Sequence, residues 1–143
     1  MKSKQIYPHC FVCGDKNQAG LKIKFHQQAG KAVAEYTPTR KFEGYKQILH
    51  GGIISTLLDE VMIKSILAKG ILAITSQIEV KFKNPAKIGE KLQLEGEVTQ
   101  TRGRIILTQG TISKPDGTVI AESKGKFFRA EGKLKEQLEE CLE

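Results

Sequence analysis

The sequence predicts an α+β domain in which one long apolar helix packs against a single antiparallel sheet. Residues 53–69 are rich in apolar side chains, and Gly70 follows them as a natural C-terminal stop. Segments that alternate apolar and polar residues lie on both sides of this stretch, as half-buried strands do. Short links between the later segments favour antiparallel pairing. Because the helix is apolar on most sides, we expect a sheet of about five to six strands to curl around it.

The first two strands are predicted to form a hairpin. Residues 21–25 alternate apolar and polar side chains, and residues 31–37 do so again before Pro38 ends the run. Ala29 and Gly30 supply the turn between them. The preceding residues 1–20 are polar and rich in turn formers, so we expect a loop with some local structure there.

Strand patterns return after Gly70 and continue almost to the C-terminus. The predicted strands are residues 71–83, 92–99, 104–113 and 118–129. The links between them contain Asn84-Pro85, Gly103 and Pro115-Asp116-Gly117, so we expect a meander-like succession. Apolar side chains recur at helical spacing in residues 131–143, which predicts a short amphipathic helix. Together residues 1–143 have the size of one domain.

The charge of the chain narrows the classes of partner. The net charge is +7, and residues 131–143 carry five Glu and two Lys, so the remainder carries +10. A basic body suits anionic partners such as nucleic acid, acidic lipid or a phosphate-bearing small molecule, or serves solubility alone. Because no nucleic-acid-binding motif and no GxxxxGK[ST] loop occurs, we expect no nucleic-acid partner. No uncharged apolar stretch of about 18 residues and no signal-peptide core occurs, so we expect a cytoplasmic protein without a membrane partner.

The cysteines are Cys10, Cys13 and Cys141, and an odd number without a signal peptide argues against a disulfide framework. The Cys10-x-x-Cys13 pair with His9 beside it is compatible with zinc or redox chemistry. A tetrahedral zinc site needs four ligands, and no second Cys-x-x-Cys is present, so His26 or a second subunit would have to contribute. A structural turn is the favoured interpretation, and we expect no metal.

The helix separates into faces at about 100° per residue. Its main core face contains Ile54, Leu57, Leu58 and Val61. Glu60 and Lys64 lie one turn apart on another side, where we expect a solvated i,i+4 pair.

Asp59 lies on a second, largely apolar face of this helix, with Met62 and Ile66 as neighbours. This face points too far from the main core face to be packed by the same surface, and a subunit partner is the candidate for covering it. Burial of an unpaired carboxylate is costly and raises its pKa. Asp59 is therefore either a general base or nucleophile in a cleft, or an interfacial or exposed residue without a chemical role.

The helix start carries a second chemical feature, His50-Gly51-Gly52. The free N–H groups of a helix start polarise an oxygen that acquires negative charge, and the helix dipole assists them. Asp59 lies on the order of 12 Å farther along the axis. An oxyanion site and a nearby carboxylate are the smallest set of groups with which a protein can hydrolyse an ester or thioester.

The stretch HGGIISTLLDEVM at residues 50–62 resembles the hot-dog fold thioesterases, in particular the PaaI-like branch of the 4-hydroxybenzoyl-CoA thioesterase superfamily. The similarity continues through residues 74–86 and 89–90, and residues 10–14 resemble a subgroup with a CxxCG start. It covers roughly residues 10–129. The resemblance implies the hot-dog fold, in which an antiparallel sheet curls around one long central helix.

The resemblance also implies roles for individual residues. Asp59 matches the catalytic carboxylate, which acts as nucleophile or as base for water. Gly51 matches the glycine whose N–H polarises the thioester carbonyl, and His50 matches the histidine that holds the loop or contacts the thioester. Thr75 falls where some members place a hydroxyl that positions water or the carboxylate.

Three further residues, Gly52, Gln47 and Ser76, are the candidate substrate-binding residues. One position departs from the family pattern. Some members have Asn or Gln six residues before the histidine, whereas this chain has Gly44 there, and Gln47 is the nearby candidate to substitute for it.

The activity implied is hydrolysis of an acyl-CoA thioester to free acid and CoA, with no cofactor beyond the CoA of the substrate. A non-catalytic acyl-CoA or lipid-binding hot-dog protein and a 3-hydroxyacyl thioester dehydratase using His50 and Asp59 are the alternatives. The resemblance further implies a homo-oligomer, a dimer or a tetramer, whose active site is shared between subunits.

Overall fold

The computed structural model describes residues 7–142. Its strands form one antiparallel sheet of six strands in the order β1-β2-β4-β5-β6-β3. The elements are β1 (His26–Gln28), β2 (Lys31–Tyr36), a 3-10 turn (Arg40–Phe42), α1 (Gly51–Leu67), β3 (Ala73–Phe82), β4 (Leu92–Arg102), β5 (Ile105–Ser113), β6 (Val119–Arg129) and α2 (Gly132–Cys141). The predicted α+β architecture is confirmed.

The first hairpin differs from the prediction at its first strand. The strand expected at residues 21–25 is wrong, and β1 follows it at His26–Gln28. Lys22 adopts a left-handed φ of 56°, and the N–H of Ile23 donates to Val12 O at 2.9 Å instead of to a sheet neighbour. The turn at Ala29 and Gly30 is confirmed, with φ values of 53° and 79° that match the right-handed twist of a tight hairpin.

The meander prediction holds for β4, β5 and β6 and is wrong for β3. Strand β3 crosses to the far side of β6 and pairs with it from Ala73↔Arg129 to Phe82↔Ala121. The chain reaches that edge because α1 lies across the sheet and delivers β3 on the side opposite to β2. As a result β3 is an edge strand beside α1.

The core lies between α1 and the sheet, and it confirms the main apolar face of the helix. Leu57, Leu58 and Val61 are fully buried. The backbone of α1 approaches β4 so closely that a Cβ at Gly96 would lie 2.5 Å from Val61 O, which requires glycine there.

The second apolar face of α1 is also packed by the chain itself, so a subunit partner for Met62 and Ile66 is ruled out. These two side chains are fully buried in a cluster with Ile106 and Phe127. Helix α1 contacts β2, β3, β4, β5 and β6, so strands of the same sheet cover both of its apolar faces.

The expected solvated pair of Glu60 and Lys64 is also wrong. Their side chains are 13% and 6% exposed, and Lys64 Nζ lies 4.0 Å from Glu60 Oε2. The N-terminal segment covers this side of the helix: Cys10 Sγ lies 3.6 Å from Glu60 Oε2, and Phe25 places its ring 5.8 Å from Lys64 Nζ.

The short C-terminal helix is confirmed as α2, and one of its apolar residues, Leu138, borders the same N-terminal segment at Tyr7. Within residues 7–142, neither helix combines the length and the apolar character that a bilayer span requires.

Candidate active site

The N-terminus of α1 leaves one backbone donor open. His50 is the N-cap, and its Nδ1 accepts the N–H of Gly52 at 2.8 Å. His50 O accepts the N–H groups of Ile53 and Ile54. A helix start has four N–H groups without a partner in the preceding turn. Here the N–H of Gly51 is the one of the four that makes no hydrogen bond within residues 7–142. Gly51 is exposed, so its N–H is available to an oxygen of a bound molecule.

The two glycines at the helix start, Gly51 and Gly52, differ in whether their N–H groups are free to bind a ligand. Gly51 retains the donor that an oxyanion would need, whereas the N–H of Gly52, a candidate substrate-binding residue, is engaged by His50. The imidazole therefore shapes the helix start by capping it, as the loop-holding role of His50 requires.

The loop before the helix holds His50 in place. The N–H of His50 donates to Phe42 O at 3.0 Å, and the N–H of Leu49 donates to Ala86 O at 2.8 Å. At Gly44, a Cβ would lie 3.0 Å from the Cα of His50, so glycine lets the loop close on the histidine. The departure from the family pattern at Gly44 therefore coincides with a tight contact.

The side chains of Gln47 and Ser76, two candidate substrate-binding residues, make no hydrogen bond within residues 7–142. Gln47 has a left-handed φ of 64°, and its hydrogen bonds within residues 7–142 use its backbone, with Glu43 Oε2 and the N–H of Ile88 as partners. Ser76 is exposed and lies where the pairing of β3 with β6 shifts register. Their proposed contacts with substrate stay predictions.

Asp59 on α1 and Thr75 on β3 contact each other where the helix packs beside this edge strand, a line of contact that we call the α1–β3 seam. The Thr75 hydroxyl donates to Asp59 Oδ1 at 2.8 Å. The carboxylate is half-buried; burial raises its pKa, the Thr75 hydrogen bond opposes that rise, and the charge of Cys10 adds to it. A carboxylate in this setting combines partial exposure with increased basicity, which suits a base or a nucleophile.

The other end of the seam is formed by Gly51 and Phe82, a residue that the sequence patterns did not single out. The Phe82 ring would lie 3.7 Å from a Cβ at Gly51, and the side chain is 56% exposed. Its position on the helix-facing side of β3 follows from the alternation with Ile78 and Val80. What the sequence does not show is that β3 runs alongside the helix start.

The two chemical groups therefore lie along one edge of the protein but apart from each other. Asp59 follows Gly51 by eight residues, which corresponds to about 12 Å along the helix axis. Within one chain, this separation is too large for Gly51 N–H and Asp59 to act on the same carbonyl carbon.

Comparison with known proteins places the chain in a family with this architecture. The Thioesterase superfamily model matches residues 46–121, from the loop before α1 into β6. The protein belongs to the thioesterase superfamily, as the residues around the helix predict.

The matched relatives agree on the fold. A solved thioesterase superfamily protein, RHA08564, superposes with a TM-score of 0.81 at 28% identity, over 85% of this chain and 60% of that one. The Escherichia coli PaaI protein gives a TM-score of 0.73 at 24% identity, over 78% and 82% of the two chains. The hot-dog fold is thereby confirmed, and the PaaI protein shares it.

A curated relative is the mouse acyl-coenzyme A thioesterase THEM5, 32% identical over 76 residues. The aligned segment is 53% of this chain and 31% of THEM5, so this chain matches about a third of that relative's length.

Proposed function

We propose that the protein hydrolyses an acyl-CoA thioester to the free acid and CoA. The observation that carries the proposal is the pairing, along one seam, of an unengaged N–H at a helix start with a half-buried carboxylate held by a hydroxyl. The acyl-CoA class is supported by the mouse relative, whose name describes that activity.

In the proposed reaction, the thioester carbonyl oxygen accepts the Gly51 N–H. Negative charge develops on this oxygen as the tetrahedral intermediate forms, and the N–H and helix dipole stabilise it. Asp59 either attacks the carbonyl carbon or removes a proton from the attacking water, and Thr75 holds the carboxylate in position. When Asp59 acts as the base, collapse of the intermediate expels the CoA thiolate and leaves the free acid, and the protonated Asp59 carboxyl returns its proton to the thiolate. When Asp59 attacks the carbon, collapse expels the CoA thiolate, which solvent protonates, and leaves an acyl–aspartate anhydride; water then hydrolyses the anhydride to the free acid and regenerates the carboxylate.

The separation of Gly51 from Asp59 is resolved if two copies share the site across their β3 edges. Helix α1 and strand β3 run in opposite directions, because Gly51 lies by Phe82 and Asp59 by Thr75. A two-fold axis at the β3 edge would bring Gly51 of one copy toward Asp59 of the other. Partly exposed Ile74 and Phe82 on this edge strand supply apolar surface for such a contact.

The test is release of free thiol from a panel of short, medium, long and aromatic acyl-CoAs. Asp59→Asn should lower turnover by about 100-fold or more, the range expected for an acid–base group. Asp116→Asn is the matched control, because Asp116 is exposed in the β5–β6 turn and its capping of the Thr118 N–H is one that Asn can make. Turnover that is absent across the panel, or equal in both variants, would refute the proposal.

The panel should include a 3-hydroxyacyl-CoA, because a dehydratase would form the enoyl thioester without releasing thiol. The structure gives such an enzyme less support: His50 uses Nδ1 to cap the helix and makes no hydrogen bond with Asp59 in the described chain. Binding of acyl-CoA without turnover would instead favour a carrier protein.

A further inference from the structure

The Cys10-x-x-Cys13 segment, which the proposed hydrolysis does not use, has the backbone of a metal-binding turn. Cys10 Sγ accepts the N–H groups of Val12 and Cys13 at 3.3 and 3.5 Å. Hydrogen bonds of this kind favour a thiolate sulfur, which is the form that binds metals. The turn closes so tightly that a Cβ on Gly14 would lie 2.5 Å from Cys10 N, so the glycine after the second cysteine is required by its geometry.

A third donor comes from α1 and not from His9 or His26. Glu60 Oε2 lies 3.6 Å from Cys10 Sγ, and the donor atoms of Cys10, Cys13 and Glu60 all lie within 4.8 Å of one another. Sulfur at about 2.3 Å and oxygen at about 2.1 Å from a tetrahedral zinc ion are about 3.6 Å apart. The observed separation of thiol and carboxylate therefore already matches that of two zinc ligands.

The surroundings provide charge balance and room for a fourth ligand. Two thiolates and one carboxylate carry three negative charges, and Zn²⁺ with the buried Lys64 ammonium, 4.0 Å from Glu60, carries three positive ones. A cavity of about 130 Å³ borders Cys10, Glu60 and Lys64 and is otherwise lined largely by apolar side chains. A water occupies about 30 Å³ of liquid, so this cavity has room for one beside the three donors.

We propose that Cys10, Cys13 and Glu60 bind a zinc ion, with a water molecule in the cavity as the fourth ligand. The ion would join the N-terminal segment to α1 at Glu60. Binding releases the proton that each cysteine carries as a thiol, so affinity should rise with pH. Three protein ligands and one solvent position form a recognised zinc arrangement.

The experiment is a titration of the full chain, reduced and stripped with a chelator, with Co²⁺ as a spectroscopic substitute for Zn²⁺. We expect one Co²⁺ per chain, a thiolate-to-cobalt charge-transfer band, the intense visible bands of tetrahedral cobalt, and loss of all of them when Zn²⁺ is added. Cys10→Ser and Cys13→Ser should abolish the charge-transfer band at equal concentration. Cys141→Ser is the matched control and should leave the charge-transfer band unchanged, because Cys141 is exposed in α2 and is not one of the three proposed ligands.

Glu60→Gln tests the third ligand. It should weaken Co²⁺ binding by more than the about 10- to 100-fold that loss of an outer-shell partner causes. If a cysteine variant does not fold, zinc content and melting of the unmodified protein still decide the question. One zinc per chain and a melting temperature lowered by chelator would support the site.

Three outcomes would overturn the proposal. The first is no cobalt–thiolate band in the reduced wild-type protein. The second is a mass 2 Da lower in the non-reduced protein, with no metal bound, which would mean that the two thiols form a disulfide. The third is Co²⁺ affinity unchanged by Glu60→Gln, which would remove the carboxylate from the site.

Discussion

Replacing Gly51 by proline would test the proposed oxyanion site by removing its hydrogen-bond donor, the N–H of Gly51. Proline removes the N–H and changes little else at this position, because Gly51 is the first residue of α1, where proline is well accommodated. His50, which would precede the proline, has φ −60° and ψ 134°, within the extended region that a pre-proline residue prefers. A Cβ at position 51 would meet only the Phe82 ring, at 3.7 Å, an ordinary contact.

The expected effect follows from the number of donors. Because the Gly51 N–H is the one unengaged donor at this helix start in residues 7–142, its removal should leave the developing oxyanion without that partner. Loss of one such donor costs about 100- to 1,000-fold in kcat, or about 2.7 to 4 kcal/mol. Stability should not fall, because replacing glycine at a compatible position stabilises by about 0.4 to 1 kcal/mol through the unfolded state.

The assay is thiol release from the best acyl-CoA of the panel, measured for Gly51→Pro and Gly51→Ala together with thermal melting. Alanine adds the same first carbon but keeps the N–H, so it should retain activity within a few-fold of wild type. A proline variant that is folded and as active as the alanine variant would refute the assignment of Gly51. Equal and large losses in both variants would show that space at position 51, and not the N–H, is what matters.

Three other substitutions test the site and the core. Thr75→Val removes the hydrogen bond that lowers the pKa of Asp59, so the pKa of Asp59 should rise. The acid limb of the kcat/KM–pH profile should then move to higher pH, whereas Thr75→Ser, which keeps the hydroxyl, should leave this limb in place. Gly96→Ala forces a Cβ to within 2.5 Å of a carbonyl oxygen of α1, and urea unfolding should show a loss of about 1 to 3 kcal/mol; an unchanged midpoint would mean that α1 can move away from β4. Phe127→Ala should cost about 3 to 5 kcal/mol in the same measurement, because the ring is fully buried, and Phe128→Ala, on the outer face and 37% exposed, should cost much less.

The helix and the positions of its candidate site residues can be identified from the sequence because their signals are local. The apolar period of α1, the glycines at its start and the single aspartate among apolar residues all lie within residues 50–67. Asp59 is therefore conspicuous from its helical neighbours alone. Its contact with Thr75 can be expected only through the family resemblance, since the two residues are sixteen positions apart.

The wrong predictions concern long-range packing. Helical spacing identifies which residues share a face, but it does not show what covers that face. Spacing assigns Met62 and Ile66 to a partner because it does not show that Ile106 on β5 and Phe127 on β6 pack against them. It assigns Lys64 to solvent because the covering segment lies far earlier in the chain, at Phe25. The edge position of β3 is a choice of pairing partner, which alternation alone cannot fix.

The adjacent acidic residues of α1, Asp59 and Glu60, belong to two different proposed sites. Asp59 and Glu60 differ by about 100° in direction, so the first meets the open edge at β3 and the second meets the covered N-terminal segment. The two carboxylates have different neighbours. A hydroxyl contacts Asp59, which stays partly exposed, whereas a thiol and a buried ammonium lie beside Glu60. Asp59→Asn should therefore lower turnover by about 100-fold or more and leave Co²⁺ binding intact, because Asp59 is not one of the three proposed ligands. Loss of cobalt binding in that variant would show that the two sites form one unit, and the separate assignments would then have to be merged.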